Sequence, residues 1–417
     1  MPFAPSHSDL CEIHRREGRL DEAAAHGRRA VALDPGDAAG WYNLGVALYD
    51  RLEIEASITC ERRAVRLRPD WPDPHFELAE GLLLSGRLEE GWREYEWRWR
   101  LPGVPPPVPP AIQKRCGQVG VRPWDGRPMP GGTLLLVADQ GFGDSIQFAR
   151  YLPMAAALCS RLAVACSPDM LPVIRSLPGG QRAFTAWEEA PPFDAWAALS
   201  SLPGLFGTVL GTIPAAVPYL RAEPERVERW KRRLDGLLPR GYRRVGLVWA
   251  GRQTHGNDRN RSMPLVRLSP LLALERTVLV SLQKGPAQAE SARVYGTAPL
   301  VNLGPELESF ADTMAVLAQL DHMVCVDTAV AHLAGAMGRP TAVLLPHAPD
   351  WRWLLGRGDT PWYPTVTLHR QPAPGCWEEA VRAATAAVTG NPPRGSGHKA
   401  SGFRASGFRA SGRPARR

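Results

Sequence analysis

The sequence predicts an α/β protein with parallel sheets, preceded by an all-α segment of helical repeats. Three observations carry that reading. Pro35 and Pro69 lie 34 residues apart, and so do Ala30 and Ala64. The run Gly18 to Glu22 (GRLDE) returns as Gly86 to Glu90 (GRLEE), 68 residues later and therefore two such spacings on. From about Trp124 onward, short leucine- and valine-rich runs alternate with helical patterns, which is how a chain builds parallel sheets with crossover helices.

The repeats come first along the chain. Trp41, Leu44, Gly45 and Leu48, followed by Ala64 and Pro69, resemble the tetratricopeptide pattern W-x2-L-G-x2-Y…A…P. Small residues in that pattern let two helices approach closely, and the proline ends the second helix. Three units fit, at about 4–37, 38–71 and 72–101, the first with His7 in the tryptophan position. The repeat domain is therefore placed at 1–101. The proline-rich stretch 102–110 is incompatible with a long helix or an inner strand. It reads as a stiff linker, extended to 123, with few contacts across it.

The α/β region divides at about 225, into halves 124–225 and 226–390. Its clearest strands are Thr133–Val137, Arg244–Trp249, Thr277–Ser281, Met323–Val326 and Thr341–Leu345, with a helical pattern from Ser145 to Leu158 after the first. Residues 391–417 repeat ASGFR, carry no apolar periodicity and read as a disordered basic tail.

Composition narrows the function. The net charge is +8, but seven basic residues and no acidic ones lie from Asn391 onward, leaving +1 for residues 1–390. That balance gives no reason to expect nucleic-acid binding by the folded part. No run reaches the roughly 18 apolar residues of a membrane span, and the N-terminus lacks an apolar signal core. The seven cysteines show no CxxC pair or metal-ligand spacing. A cytoplasmic protein without a metal site is expected.

Ligands of parallel sheets bind beyond the strands' carboxyl ends, and three segments there carry chemistry. In Gln140-Gly141-Phe142-Gly143-Asp144, the glycines allow close backbone approach, and Asp144 is either a general base or a helix N-cap. In the segment Asp327 to Ala336, small residues open a helix whose free N–H groups suit a phosphate, with Thr328 as an added donor. His332, one turn in, is a ligand contact or a satisfied structural histidine. The loop Gly251 to Ser262 is dense in donors, and Arg252, Arg259 and Arg261 suit a diphosphate. It reads as a clamp or as a solvated loop. The aromatic runs Asp350–Trp353 and Thr360–Tyr363 suit a sugar or base, or an interdomain packing surface.

Taken together, the GFGD loop followed by QFARYLP, RVGLVWAG with HGNDRNRS, SLQKG, VDTAVAHLAGAMGRPT and PDWRWLL…PWYP resemble glycosyltransferase family 9, the heptosyltransferase group. The resemblance covers about Trp124 to Trp377, and it extends to bacterial tetratricopeptide-repeat proteins carrying such a domain. It implies a GT-B fold of two Rossmann-like halves, acceptor-binding and then donor-binding, and a metal-independent inverting transfer with no cofactor beyond the nucleotide-sugar substrate. It implies Asp144 as base, and a donor site at Arg261, Gln283, Lys284, Asp327, Thr328, Ala329 and His332. Gln140, Gly141, Gly143, His255 and Asp258 fall in the cleft loops. Ala329 stands where the family has glycine, and the first half is short for an acceptor domain. The expected partners are a nucleotide-diphosphate sugar and a saccharide or protein hydroxyl acceptor recruited by the repeats. The rival readings are an inactive scaffold and a peptide O-glycosyltransferase.

Overall fold

Six helices form three antiparallel pairs at the start of the chain. They are α1 (His7–Arg16) with α2 (Leu20–Leu33), α3 (Ala38–Asp50) with α4 (Ile54–Leu67), and α5 (Pro72–Leu84) with α6 (Leu88–Tyr95). The structure, a computed structural model, describes residues 6–115, 121–293 and 296–390. The expected tail at 391–417 and Cys116 fall outside them. Local chemistry fixes where helices begin. Ser6 and Asp9 exchange bonds as a capping box at α1, Asp37 accepts from Ala39 and Gly40 N–H at α3, and α5 opens on Pro72. The seam between α3 and α4 needs the repeat glycine, because a methyl group at Gly45 would overlap the Glu61 carboxyl.

The α/β region holds two all-parallel sheets. The first half runs β1 (Met129–Val137), α8 (Phe142–Phe148), α9 (Leu152–Ala156), β2 (Cys159–Ala165), α10 (Leu171–Arg175), β3 (Ala183–Phe184), β4 (Ala195–Ala198) and α11 (Leu202–Leu205), after a short α7 (Pro110–Arg115). Its strands lie in the order β3-β2-β1-β4. The second half runs α12 (Pro224–Leu237), β5 (Arg243–Val248), α13 (Asp258–Arg261), α14 (Ser269–Leu272), β6 (Thr277–Ser281), β7 (Leu300–Asn302), α15 (Phe310–Leu317), β8 (His322–Val326), α16 (Ala329–Ala336), β9 (Thr341–Leu345), β10 (Val366–Arg370) and α17 (Glu378–Thr389). Its order is β10-β9-β8-β5-β6-β7. In both sheets the first strand of the half sits inside and the order reverses beside it, as in doubly wound α/β folds. Two parallel-sheet halves behind helical repeats is the predicted class.

Two expectations change. The helical pattern 145–158 is broken: α8 passes through a 3-10 turn at 149–151 before the short α9. The segment 102–123 is not a bare linker. It carries α7, and Val108 and Ile112 are buried with Leu135, Val137 and Phe193 of the first half. Nor are contacts across it few. One apolar cluster runs from Ile58, Leu82 and Leu83 of the repeats, through Trp92 and Tyr95, into Leu134, Phe148 and Trp351. The prolines stiffen the backbone, but apolar side chains on both sides bury one another and dock the repeats.

Candidate active site

The loop after β1 brings Asp144 to the mouth of the first sheet. Gly141, in extended conformation, is the N-cap of α8, so Asp144 lies in the first turn and is not the cap itself. Its carboxylate is ion-paired with Arg352, which follows β9 in the second half. Arg352 also holds Asp350, with bonds of 2.8 and 2.9 Å. Burial pushes the Asp144 carboxyl above its ordinary range, and Arg352 pulls in the opposite direction. The pair therefore ties the two halves through a carboxylate placed to handle a proton.

A cavity of about 390 Å³ opens at this point. The first half lines it with Asp139, Gln140 and Asp144, and the second with His255, Asp350 and Arg352. A third wall comes from the repeats, through Phe76, Glu80, Tyr95, Arg98 and Trp99. The Tyr95 hydroxyl and the Gln140 amide bond each other at 2.9–3.1 Å, clamping the repeat to the glycine loop. Arg98 donates to Ser200 and Ser201 at 2.8 and 2.7 Å. Burial and the Arg261 charge hold the His255 imidazole below its usual pKa, which leaves it neutral near pH 7.

The second constellation sits where β8 runs into α16. Thr328 holds the N-cap position in extended backbone, yet its hydroxyl makes no capping bond. Thr328 Oγ1 is buried without a protein partner. Arg261 reaches this point, donating from Nη1 to the Asp327 carbonyl at 3.1 Å. Burial first, then the Asp350 charge, raises the Asp327 carboxyl to about 6. Asp258 braces the loop: Ser262 Oγ donates to it at 2.8 Å and accepts from Gly251 N–H at 2.9 Å. Arg252 lies over the Phe142 ring at 5.4 Å. Arg261, Asp327, Thr328 and Ala329 are thus brought together.

Other predicted residues are turned to structural work. Gln283 is 2% exposed; its oxygen accepts from the N–H groups of Trp249 and Ala250, and its amide donates to the Ala250 and Lys284 carbonyls. It closes the ends of β5 and β6, with no amide group left for a donor. Lys284 Nζ donates to the Leu307 carbonyl. His332 is buried, with Nδ1 2.9 Å from the Tyr363 hydroxyl and its ring stacked on Trp353. Burial drives its pKa down to about 3, so it is the satisfied structural histidine. Gly143 packs on that ring, and a Cβ there would lie 2.8 Å from His332 Cδ2. Trp351, Trp353, Trp362 and Tyr363 are at most 1% exposed. The aromatic runs therefore pack interfaces and present no open face to a sugar.

Residues 272–353 match glycosyltransferase family 9 (heptosyltransferase). The C-terminal half carries a glycosyltransferase family 9 domain. The match includes Asp327, Thr328, Asp350 and Arg352, whereas Asp144 and the loop 251–262 lie before it. Over 413 residues the chain is 30% identical to protein FlbA of Caulobacter vibrioides, covering 90% of this chain and 65% of that protein. The chain thus spans somewhat less than two thirds of that relative. A 90-residue stretch is 26% identical to the tetratricopeptide repeat-containing protein trd-1 of Caenorhabditis elegans, covering 22% of this chain and 12% of that one. A family 9 glycosyl transferase structure from Veillonella parvula aligns with a TM-score of 0.44 at 9% identity, over 60% of this chain and 88% of that one.

Around the family 9 domain, the sequence reading missed Arg352 and the whole repeat wall. Arg352 had a signal, a charge between two tryptophans at the end of a strand–loop unit. Glu80, Tyr95 and Arg98 had none, since nothing in a repeat helix marks which residues will face a cavity formed by distant segments. Among the described residues, no helix is long and apolar enough to cross a membrane, and no group of three or more His, Cys, Asp or Glu is placed to hold a metal ion.

Proposed function

We propose that the chain transfers a sugar from a nucleotide-diphosphate donor to a hydroxyl acceptor, with Asp144 as general base. The carrying observation is that Asp144 of the first half and Arg352 of the second face one cavity. A base and a bound donor from opposite halves could meet there. The donor's diphosphate takes the start of α16, where the Thr328 hydroxyl is unpartnered and Arg261 is adjacent. Asp144 removes the proton from the acceptor hydroxyl as that oxygen attacks the anomeric carbon and the nucleoside diphosphate departs with its bonding pair. Positive charge at Arg261 and the helix N–H groups stabilise the departing anion. Direct attack from the face opposite the leaving group inverts the anomeric centre, and no metal is required by this arrangement. The repeats bring the acceptor, or a partner that carries it, to the third wall.

The test is a thermal-shift screen of nucleotide sugars, followed by turnover of those that bind. Ligand at 100 times its dissociation constant adds about 2.7 kcal/mol of stability, which is readily seen. Activity in excess chelator and the anomeric configuration of the product check the metal-independent inverting course. A protein stabilised by no nucleotide sugar, and releasing no nucleotide from any, would favour the scaffold reading.

A further inference from the structure

The third repeat does more than stand beside the site. Glu80 on α5 lines the same cavity as Asp144 and Asp350, and the charges of Asp350, Arg352 and Asp144 all act on it. Four carboxylates border the cavity (Glu80, Asp139, Asp144, Asp350) against two guanidinium groups (Arg98, Arg352). Both guanidinium groups are already engaged, Arg352 by Asp144 and Asp350, and Arg98 by Glu96, Ser200 and Ser201. Neither is left to receive an acidic ligand. Glu80 makes no hydrogen bond or ion pair within the protein. Phe76, Tyr95 and Trp99 supply apolar surface beside it. A phosphorylated or carboxylated head group would meet net negative charge here, whereas a neutral one offers hydroxyl donors to an acceptor-only carboxylate.

We propose that the third repeat forms part of the acceptor site, with Glu80 as an acceptor-binding residue that selects a hydroxyl-bearing head group without negative charge. This rests on the transferase reading and names its acceptor chemistry. The Glu80 carboxylate accepts a hydrogen bond from the head group and sets the reacting hydroxyl towards Asp144. Either a sugar residue or a seryl or threonyl side chain carries that chemistry.

The experiment compares the full-length wild type with Glu80→Gln and Glu80→Asp. Binding of ADP and UDP and acceptor-free hydrolysis of the best nucleotide sugar report the donor site. Initial rates with neutral methyl glycosides, with Ser/Thr peptides and with phosphorylated sugars report the acceptor site and separate the two sources. In Glu80→Gln, donor binding and hydrolysis should stay at wild-type levels. The acceptor KM should rise about ten- to hundredfold, as expected for a lost charge-assisted bond, and discrimination against phosphorylated acceptors should narrow. Glu80→Asp keeps the charge but withdraws it by one methylene. Its KM should rise while phosphorylated acceptors stay excluded, and it decides the matter if Glu80→Gln melts early. Unchanged acceptor KM in both variants, or a wild type that prefers phosphorylated acceptors, overturns the proposal. Failure of the transferase reading looks different: the wild type would neither bind the diphosphates nor turn over any nucleotide sugar.

Discussion

Glu61 on α4 is fully buried, and neither carboxyl oxygen has a partner. Burial first, and the Glu77 charge second, raise its pKa well above the usual carboxylate value. The sign follows from linkage. In the unfolded chain Glu61 ionises near pH 4.3, whereas in the folded protein it stays protonated to higher pH. Its contribution is therefore fully retained below the unfolded pKa and is lost as pH rises towards the folded one. Glu61→Gln removes that titration at nearly constant volume. The variant should melt above the wild type at pH 8, and the gap should close towards pH 5. A gap independent of pH would mean that Glu61 is ionised in the fold or titrates normally. At this scale the sequence was only partly legible. It marked Asp144, Arg261 and Thr328 by their places after strands. It could not show that Gln283 and His332 spend their polar groups inside the protein, because their partners (Trp249 and Ala250, Tyr363) are set by tertiary packing.

The decisive contact between elements is that of α8 with α16. Gly143 of α8 lies on the His332 ring, which is fixed by Tyr363 on one side and Trp353 on another. The ring cannot yield to an added methyl group. Gly143→Ala should therefore cost about 1–3 kcal/mol, the usual range for overpacking, and lower the melting temperature accordingly. It should also depress activity by shifting the adjacent Asp144. An unchanged melting temperature would show that the two helices slide freely. Element recognition tracked pattern strength. β6 and β9 were read to the residue because each is a continuous apolar run bounded by polar residues. β3, with two residues, and β4, a run of small residues around Trp196, offered too little pattern to separate from loop. β2 was hidden in the apolar stretch 154–166, which a helix end and a strand share. The helix after the glycine loop was overextended, since Pro153 and the 3-10 turn before it break a pattern that side-chain periodicity alone continues.

On the scale of the whole molecule, Trp351 joins three parts. Its ring meets Trp92 and Tyr95 of the repeats edge-on at 5.3 and 6.0 Å, and lies near-parallel to Phe148 of the first half at 6.5 Å. Deleting residues 1–110 would strip Trp92, Tyr95, Leu83 and Val108 from these surfaces. Burial of such side chains contributes about 1.5–3 kcal/mol each, and four of them rival the 5–15 kcal/mol total of a typical domain. That truncation should be insoluble or should unfold at much lower denaturant, whereas removal of residues 1–37 should leave a cooperative fold, because the first repeat lies outside this cluster. Equal denaturant midpoints for the two truncations and the full chain would contradict a shared core. The central claim is that one cavity, built from both halves and the third repeat, performs glycosyl transfer with Asp144 as base. The most direct test pairs nucleotide release under saturating acceptor with nucleotide-sugar affinity, in the wild type and in Asp144→Asn. Asparagine keeps the size and removes the proton acceptor, while the proposed donor contacts lie in the other half. Turnover should fall by about 10²–10⁴-fold, the usual contribution of a general base, with donor affinity unchanged. Turnover retained at the wild-type rate, in a variant that still binds donor, would contradict the account.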